Sequence, residues 1–249
     1  MTGWPEGYGR RVLDSVDSTL DEAARRAPDL AGPEWILALS QTRARGRRGR
    51  SWASPEGNFA ATLVLRPDDP PGRAALRSFV AALAVHDACV AATGRTDGFS
   101  LKWPNDLLLN GGKLAGILLE STGSAAQTAH LFIGIGVNLI AAPPVEALEP
   151  GAVRPAALMP DTGIAVTPEA FLDVLAPAYA ARERQFTQYG FDPIRAAWLD
   201  RAARLGETIT ARTGSSETTG AFETVDGSGN LVLKTARGRV AIPAADVYF

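Results

Sequence analysis

Apolar positions along this chain change period several times, and the changes divide it into elements. Residues 11–16 alternate as a short strand. Ser18 with Asp21 three residues on marks a helix N-terminus, and the helix runs to about residue 27. Residues 35–39 form an apolar run of strand length, as do 59–65 (FAATLVL), which DDPPG at 68–72 ends. From 74 to 92 the spacing becomes helical, with Leu76, Phe79, Val80, Leu83, Val85, Cys89 and Val90 on a buried stripe that also carries His86, expected to be satisfied or partly exposed. Residues 101–103 read as a strand that Pro104 interrupts. Asn110-Gly111-Gly112 is a tight turn between strands at 107–109 and 113–120, and 131–139 (LFIGIGVNL) is a further strand.

Residues 141–167 are rich in Pro and Ala and read as loop with a helical turn near 156–159. Helices follow at 168–186, capped by Thr167 with Pro168 at its first position, and at 193–204. Pro177 should kink or split the first of these. After Gly206 the texture becomes four short strands, at 207–212, 218–225, 231–235 and 239–242, with a turn at 226–230. The fold class is therefore α+β, a mixed and largely antiparallel β-sheet flanked by helices, over residues 1–204, followed by a small barrel-like β domain over 205–249.

Composition narrows the function classes. A net charge of -2 with 46% hydrophobic residues describes an ordinary globular chain with no general affinity for nucleic acid or anionic membrane. The chain opens without an apolar signal region, and no apolar run approaches the ~20 residues of a membrane span, so the expectation is a soluble cytoplasmic protein. The single cysteine, Cys89, excludes an internal disulfide and a cysteine metal cluster.

Charge is concentrated locally. Arg43, Arg45, Arg47, Arg48 and Arg50 fall within eight residues, broken by Gly46 and Gly49 and followed by Trp52. Like charges repel and the glycines cost entropy, so this is a loop that anions would settle. Guanidinium forks suit carboxylate and phosphate. By itself the loop fits a small anionic ligand, a solvated basic loop or an RGG-like nucleic-acid segment. Of the 25 cationic residues only Lys102, Lys113 and Lys234 are lysines, and two of them lie eleven positions apart. Lys113 stands on an otherwise apolar strand, where an unpaired buried ammonium would be costly. Gly134 and Gly136, inside a strand, signal close approach by another group. Cationic loop, lysine hairpin and GxGxN strand together suit a nucleotide phosphate beside a carboxylate. There is no GxxxxGK[ST], HExxH, CxxC or GxSxG, and no helix directly follows GIGVNL, so P-loop, Rossmann, zinc-hydrolase and serine-esterase readings lack support.

These motifs carry a resemblance. Ser18-Thr19, Gln41, RGRRGR at 45–50, Trp52, Ser54-Pro55 with Gly57-Asn58, KWPNDL at 102–107, KLAGIL at 113–118 and GIGVNL at 134–139 are similar, in order and spacing, to bacterial-type biotin–protein ligases. The resemblance covers residues 10–249. It implies a class II synthetase-like catalytic domain with an SH3-like C-terminal barrel. It also implies activation of biotin by ATP and Mg2+ to biotinyl-5′-AMP, then transfer to a lysine of a biotin carboxyl carrier protein or carboxylase carrier domain. Because the chain starts close to the catalytic domain, the short form without DNA binding is expected; a homodimer is left open.

Carried over by position, the resemblance places Ser18, Thr19 and Gln41 on the biotin ureido head. Arg45, Gly46 and Arg47 would wrap the carboxylate and α-phosphate, Trp52 would cover the valeryl chain, and Lys113 would bridge carboxylate and phosphate. Gly116 and Ile117 would set backbone against biotin. Arg48, Lys102, Asn105, Gly136 and Asn138 would line the ATP site, with Mg2+ near Asn138 and no protein cage for it. Trp198 would pack near adenine. Asp106 is the candidate to help deprotonate the acceptor lysine. Two positions depart from the family's pattern: Ala44 replaces a glycine and Leu20 an asparagine. Lipoate or octanoate ligation is the rival enzyme reading, and an arginine-loop nucleic-acid module the non-enzyme one; near-neutral charge and a single nearby aromatic count against the latter.

Overall fold

The computed structural model describes residues 3–46, 49–50, 52–53, 55–144, 153–213, 216–243 and 245–248. The elements in chain order are β1 Gly9–Val16, α1 Thr19–Arg26, β2 Glu34–Gln41, β3 Phe59–Leu65, α2 Pro71–Ala75, α3 Arg77–Thr93, β4 Phe99–Lys102, β5 Asp106–Leu109, β6 Gly112–Gly123, β7 Thr128–Val137, α4 Leu158–Thr162, α5 Pro168–Tyr189, α6 Phe191–Leu199, β8 Thr208–Arg212, β9 Glu217–Val225, β10 Leu231–Thr235, β11 Gly238–Ile242 and β12 Asp246–Tyr248.

The first seven strands make one sheet in the order β1-β2-β3-β7-β6-β5-β4. Strands β1 and β2 run parallel and the other neighbours antiparallel, as the mixed sheet expected from sequence requires. Period-two alternation assigns the faces. Trp35, Leu37, Leu63 and Ile133 join the main core with α3, α5 and α6, where Trp35 meets Tyr179 at 5.9 Å and Phe59 meets Phe171 at 5.0 Å, both edge to face. Ile36, Val64 and Phe132 point the other way and pack with Leu20 and Ala23 of α1 and with Ala27 just after it. One face thus has three helices over it, while α1 covers part of the other.

Several local expectations are corrected. Helix α5 runs as one element through Pro177, with the Thr167 side chain accepting from Ala170 N at 3.2 Å as its cap. Helix α6 ends at Leu199, five residues short of the expected end. The turn at Asn110 and Gly111 has φ of 48° and 75°, the left-handed pair of a two-residue hairpin. Strand β12 is additional; at three residues it is too short for alternation to show. It closes one edge of a five-stranded C-terminal sheet ordered β11-β10-β9-β8-β12. Within Pro71–Thr93 an 18-residue window reaches a mean hydropathy of 1.5, enough for a membrane span by length and composition alone. Its apolar window is 72% buried within the protein, which is what a core helix requires. Cys89 lies inside it, and burial pushes its thiol well up. His86 is 8% exposed, with Nδ1 3.3 Å from Asp87 Oδ1.

A buried charge network ties the helix layer together. The Arg77 side chain, 3% exposed, bonds Asp69 at 2.7 Å and Glu183 at 2.8 Å, and Glu183 also accepts from Tyr179 Oη at 3.1 Å. Burial, then Glu183, raises the Tyr8 phenol to about 12. Removing one member of such a set strands its partners' charge. Arg77→Ala should therefore lower unfolding free energy by about 3–5 kcal/mol, read as a reduced urea midpoint.

Candidate active site

The site forms on the α1 face of the sheet, where the strands carry small residues. In the β6–β7 register Gly116 lies opposite Gly136 and Leu118 opposite Gly134, and β3 places Thr62 opposite Gly134. A Cβ on Gly134 would come within 3.0 Å of Leu20, so Leu20 is accommodated as the residue with which α1 packs down. Gly116 and Gly136 leave a strip of bare backbone beside it.

A polar chain borders one end of this strip. Thr62 Oγ1 donates to Thr19 Oγ1 at 2.9 Å, and Thr19 donates to Gln41 Oε1 from its hydroxyl at 3.2 Å and its backbone N at 2.8 Å. Ser18 stands at the α1 N-cap, 1% exposed, yet its side chain makes no cap hydrogen bond. Its hydroxyl is thus not spent on the helix. Thr62 was missed from sequence; its signal was a lone hydroxyl in the apolar run FAATLVL.

The other end is cationic. Lys113 Nζ pairs with Asp106 Oδ1 at 2.8 Å, and Lys102 Nζ lies 3.9 Å from Asp106 Oδ2. Lys113 is therefore not the unpaired ammonium that sequence reasoning weighed. A register shift between Leu107 and Leu108 in the β5–β6 ladder lies next to this position. Residues 153–156 brace Lys113 from outside: its N donates to Arg154 O at 2.7 Å and its O accepts from Ala156 N at 2.9 Å.

Two assigned residues, Asn105 and Asn138, act as braces. Asn105 Nδ2 donates to Ile117 O, and Asn105 O accepts from Ile117 N at 3.0 Å. The Ile117 side chain is in the core. Asn138 Nδ2 donates to Ala156 O at 3.0 Å, holding the Lys113 brace, while its buried Oδ1 has no partner among the described residues. Trp198 is corrected: it is 1% exposed and packs on Phe79 at 5.4 Å and Phe222 at 6.5 Å, a core position with no open face for adenine. Trp103, 3% exposed, likewise serves the core and donates from Nε1 to Gly229 O at 3.1 Å.

The arginine loop closes over the strip. Arg45 is gripped by Asp21 at 2.6 Å and Glu120 at 2.8 Å, and these two carboxylates, Glu120 first, raise its pKa further. Its fork is occupied here by protein carboxylates. Gly46 N donates to Arg50 O at 2.7 Å and Trp52 N to Ala44 O at 3.0 Å, folding the segment back on itself. Arg47, Arg48 and Ser54 lie outside the described residues. Trp52 lies against the glycine strip with Lys113 Nζ 5.6 Å from its ring centroid. The arrangement can bind a flat polar head at one end, an apolar middle on bare backbone, and an anion at the other.

A Cβ at position 136 would lie 2.7 Å from Trp52 Nε1 and one at 116 would lie 3.2 Å from Cζ3. Gly136→Val should evict the indole: tryptophan fluorescence shifts to the red and becomes more open to acrylamide, and the same substitution in a Trp52→Phe background leaves the emission unchanged.

Known proteins share both the architecture and the motifs. The Biotin/lipoate A/B protein ligase family matches residues 9–138, and the Biotin protein ligase C terminal domain matches residues 205–249. The chain is 56% identical over 238 residues to a biotin--[acetyl-CoA-carboxylase] ligase from Paracoccus denitrificans, covering 96% of this chain and 99% of that one. It is 33% identical to the bifunctional ligase/repressor BirA of Bacillus subtilis, covering 95% of this chain and 71% of that protein. The solved biotin protein ligase from Aquifex aeolicus in complex with biotin and ATP superposes with a TM-score of 0.80 at 26% identity, over 96% of this chain and 97% of the other. With residues 9–138 and 205–249 both matched and a relative 56% identical along nearly its whole length, the chain belongs to the biotin/lipoate protein ligase family.

Proposed function

We infer that the protein is a biotin–protein ligase, using ATP to activate biotin and then transferring it to a lysine of a carboxylase carrier domain. The observation that carries this is the Lys113–Asp106 pair beneath Trp52, at the end of a glycine strip whose far end is a hydroxyl–amide array. The match of residues 205–249 to the biotin-ligase C-terminal domain favours biotin over lipoate.

In the first step a biotin carboxylate oxygen attacks the α-phosphorus of ATP and pyrophosphate leaves. Two anions meet, so preorganised positive charge is the main requirement. Lys113 supplies it at a point set by Asp106 and by the Arg154 and Ala156 backbone. Ser18, Thr19 and Gln41, supported by Thr62, are the donors and acceptors for the ureido head, and the strip at Gly116 and Gly136 takes the apolar part under Trp52. Arg47 and Arg48 are the loop cations proposed for the phosphates, Arg45 serving instead as the loop's tether. Lys102, beside Asp106, adds to the positive field. Among the described residues no three His, Cys, Asp or Glu gather to cage a metal. Mg2+ would come with the triphosphate, as this ion commonly does, and would screen its charge; Asn138 Oδ1, buried and without a partner among the described residues, is the acceptor that could hold that complex.

In the second step the acceptor amine attacks the carbonyl carbon of the mixed anhydride and AMP leaves. Asp106, 9% exposed and next to the reacting centre, is the proposed proton acceptor once Lys113 turns to the ligand.

The test is pyrophosphate release with ATP and Mg2+, comparing biotin, lipoate and octanoate. Biotin alone should support release, and Lys113→Ala should reduce it on the order of 10²-fold or more, the scale of one transition-state donor. Release with lipoate but not biotin would overturn the substrate. For the second step, Asp106→Asn should slow transfer from preformed biotinyl-AMP to a carrier domain; a wild-type transfer rate would remove Asp106 from that role.

A further inference from the structure

The loop bearing Trp52 is fastened to both domains. At its entry Arg45 is held by Asp21 of α1 and Glu120 of β6, inside the catalytic domain. Five residues later Arg50 Nη2 donates to Asp246 Oδ2 at 2.8 Å, across 196 positions of sequence. Asp246 opens β12, the edge strand of the C-terminal sheet, where it pairs with Arg212 of β8. The Arg50 side chain is 44% exposed and that of Asp246 16%, so a sheltered carboxylate on a strand receives an arginine arriving from the loop. Gly46 N bonds Arg50 O and Trp52 N bonds Ala44 O, and Trp52 stands two residues beyond Arg50. Whatever holds Arg50 therefore also holds Trp52 on Gly116 and Gly136.

We propose that Asp246 is a latch through which the C-terminal domain holds the arginine loop shut, setting how long the acyl-adenylate is retained before an acceptor arrives. This rests on the ligase reading above. Asp246 is a positioning residue: it acts through Arg50 and Trp52 on the cover of the site. Such a latch answers a specific chemical problem. A mixed anhydride hydrolyses in water, and a premature opening wastes ATP. The opening must still be available to the carrier lysine, so the fastening has to be breakable. A half-exposed ion pair biases an equilibrium by about two- to fivefold, which is the strength a reversible closure calls for. The C-terminal domain then contributes to retention of the intermediate without offering any group to the reacting atoms.

The experiment uses the full chain with Asp246→Asn, Arg50→Gln and the double substitution. Biotin-dependent pyrophosphate release by the wild type is measured first; its absence sinks the ligase reading and the latch with it. With release established, labelled biotinyl-AMP is formed on the enzyme and its escape followed after a chase of unlabelled biotin. Each single substitution should speed escape about two- to fivefold, and the double no more than either single. Raising salt should speed escape from the wild type and leave the substituted proteins unmoved, a dependence that a merely structural role for β12 would not produce. Unchanged escape, or effects of the two substitutions that multiply, would overturn the latch while leaving the ligase intact. If Asp246→Asn fails to fold, Arg50→Gln, on the loop, carries the same test by itself.

Discussion

The pairing of Gly116 against Gly136 in the β6–β7 register is the constraint on which the rest of the site depends. Two adjacent glycines on one face of a sheet remove the side chains that would fill it, and leave backbone against which a flat group can lie. Trp52 does so here, at distances a Cβ would not allow. Leu20 packs over the neighbouring Gly134 and so anchors α1, whose N-terminus brings Ser18 and Thr19 to the strip. Slipping the register by one residue would turn Ile117 and Ile135 outward and close the site.

Charge in the protein is handled by pairing, in two ways. In the helix layer the Arg77 cation is buried between the partly buried Asp69 and Glu183. Around the site the cations are more open: Arg45 with Asp21 and Glu120, Arg50 with Asp246, Lys113 with Asp106. Pairs of the second kind are weak enough to be exchanged for a ligand's carboxylate or phosphate. The arginine loop is thus held by protein carboxylates, with anions of the same chemistry as its substrates. The split between tethering arginines and those left for ligand explains why so many are needed in eight residues.

Much of this was legible from the amino-acid order. The hairpin at Asn110 and Gly111, the mostly apolar run of β3 and the helical stripe of α3 are local patterns whose period or turn chemistry admits few alternatives. The site's cast was legible too, because KWPND, KLAGIL and GIGVNL keep their spacing. What misled was reading each polar or aromatic residue as facing a ligand. Trp198 and Asn105 have the right types at the right spacing, and the structure spends them on core packing and backbone bracing. Thr62 went unnoticed for the opposite reason: one hydroxyl among apolar neighbours looks like packing until its partner Thr19 is seen.

By itself, then, the sequence determined most of the elements and the chemistry available, since these follow from periodicity, turn residues and the types of side chain present. The tertiary structure alone decided which groups are free to act. Arg45 and Arg50 meet carboxylates that the fold brings from residues 21, 120 and 246. Long-range pairing of that kind depends on sheet register and domain packing, and no local pattern encodes which arginine will meet which acid.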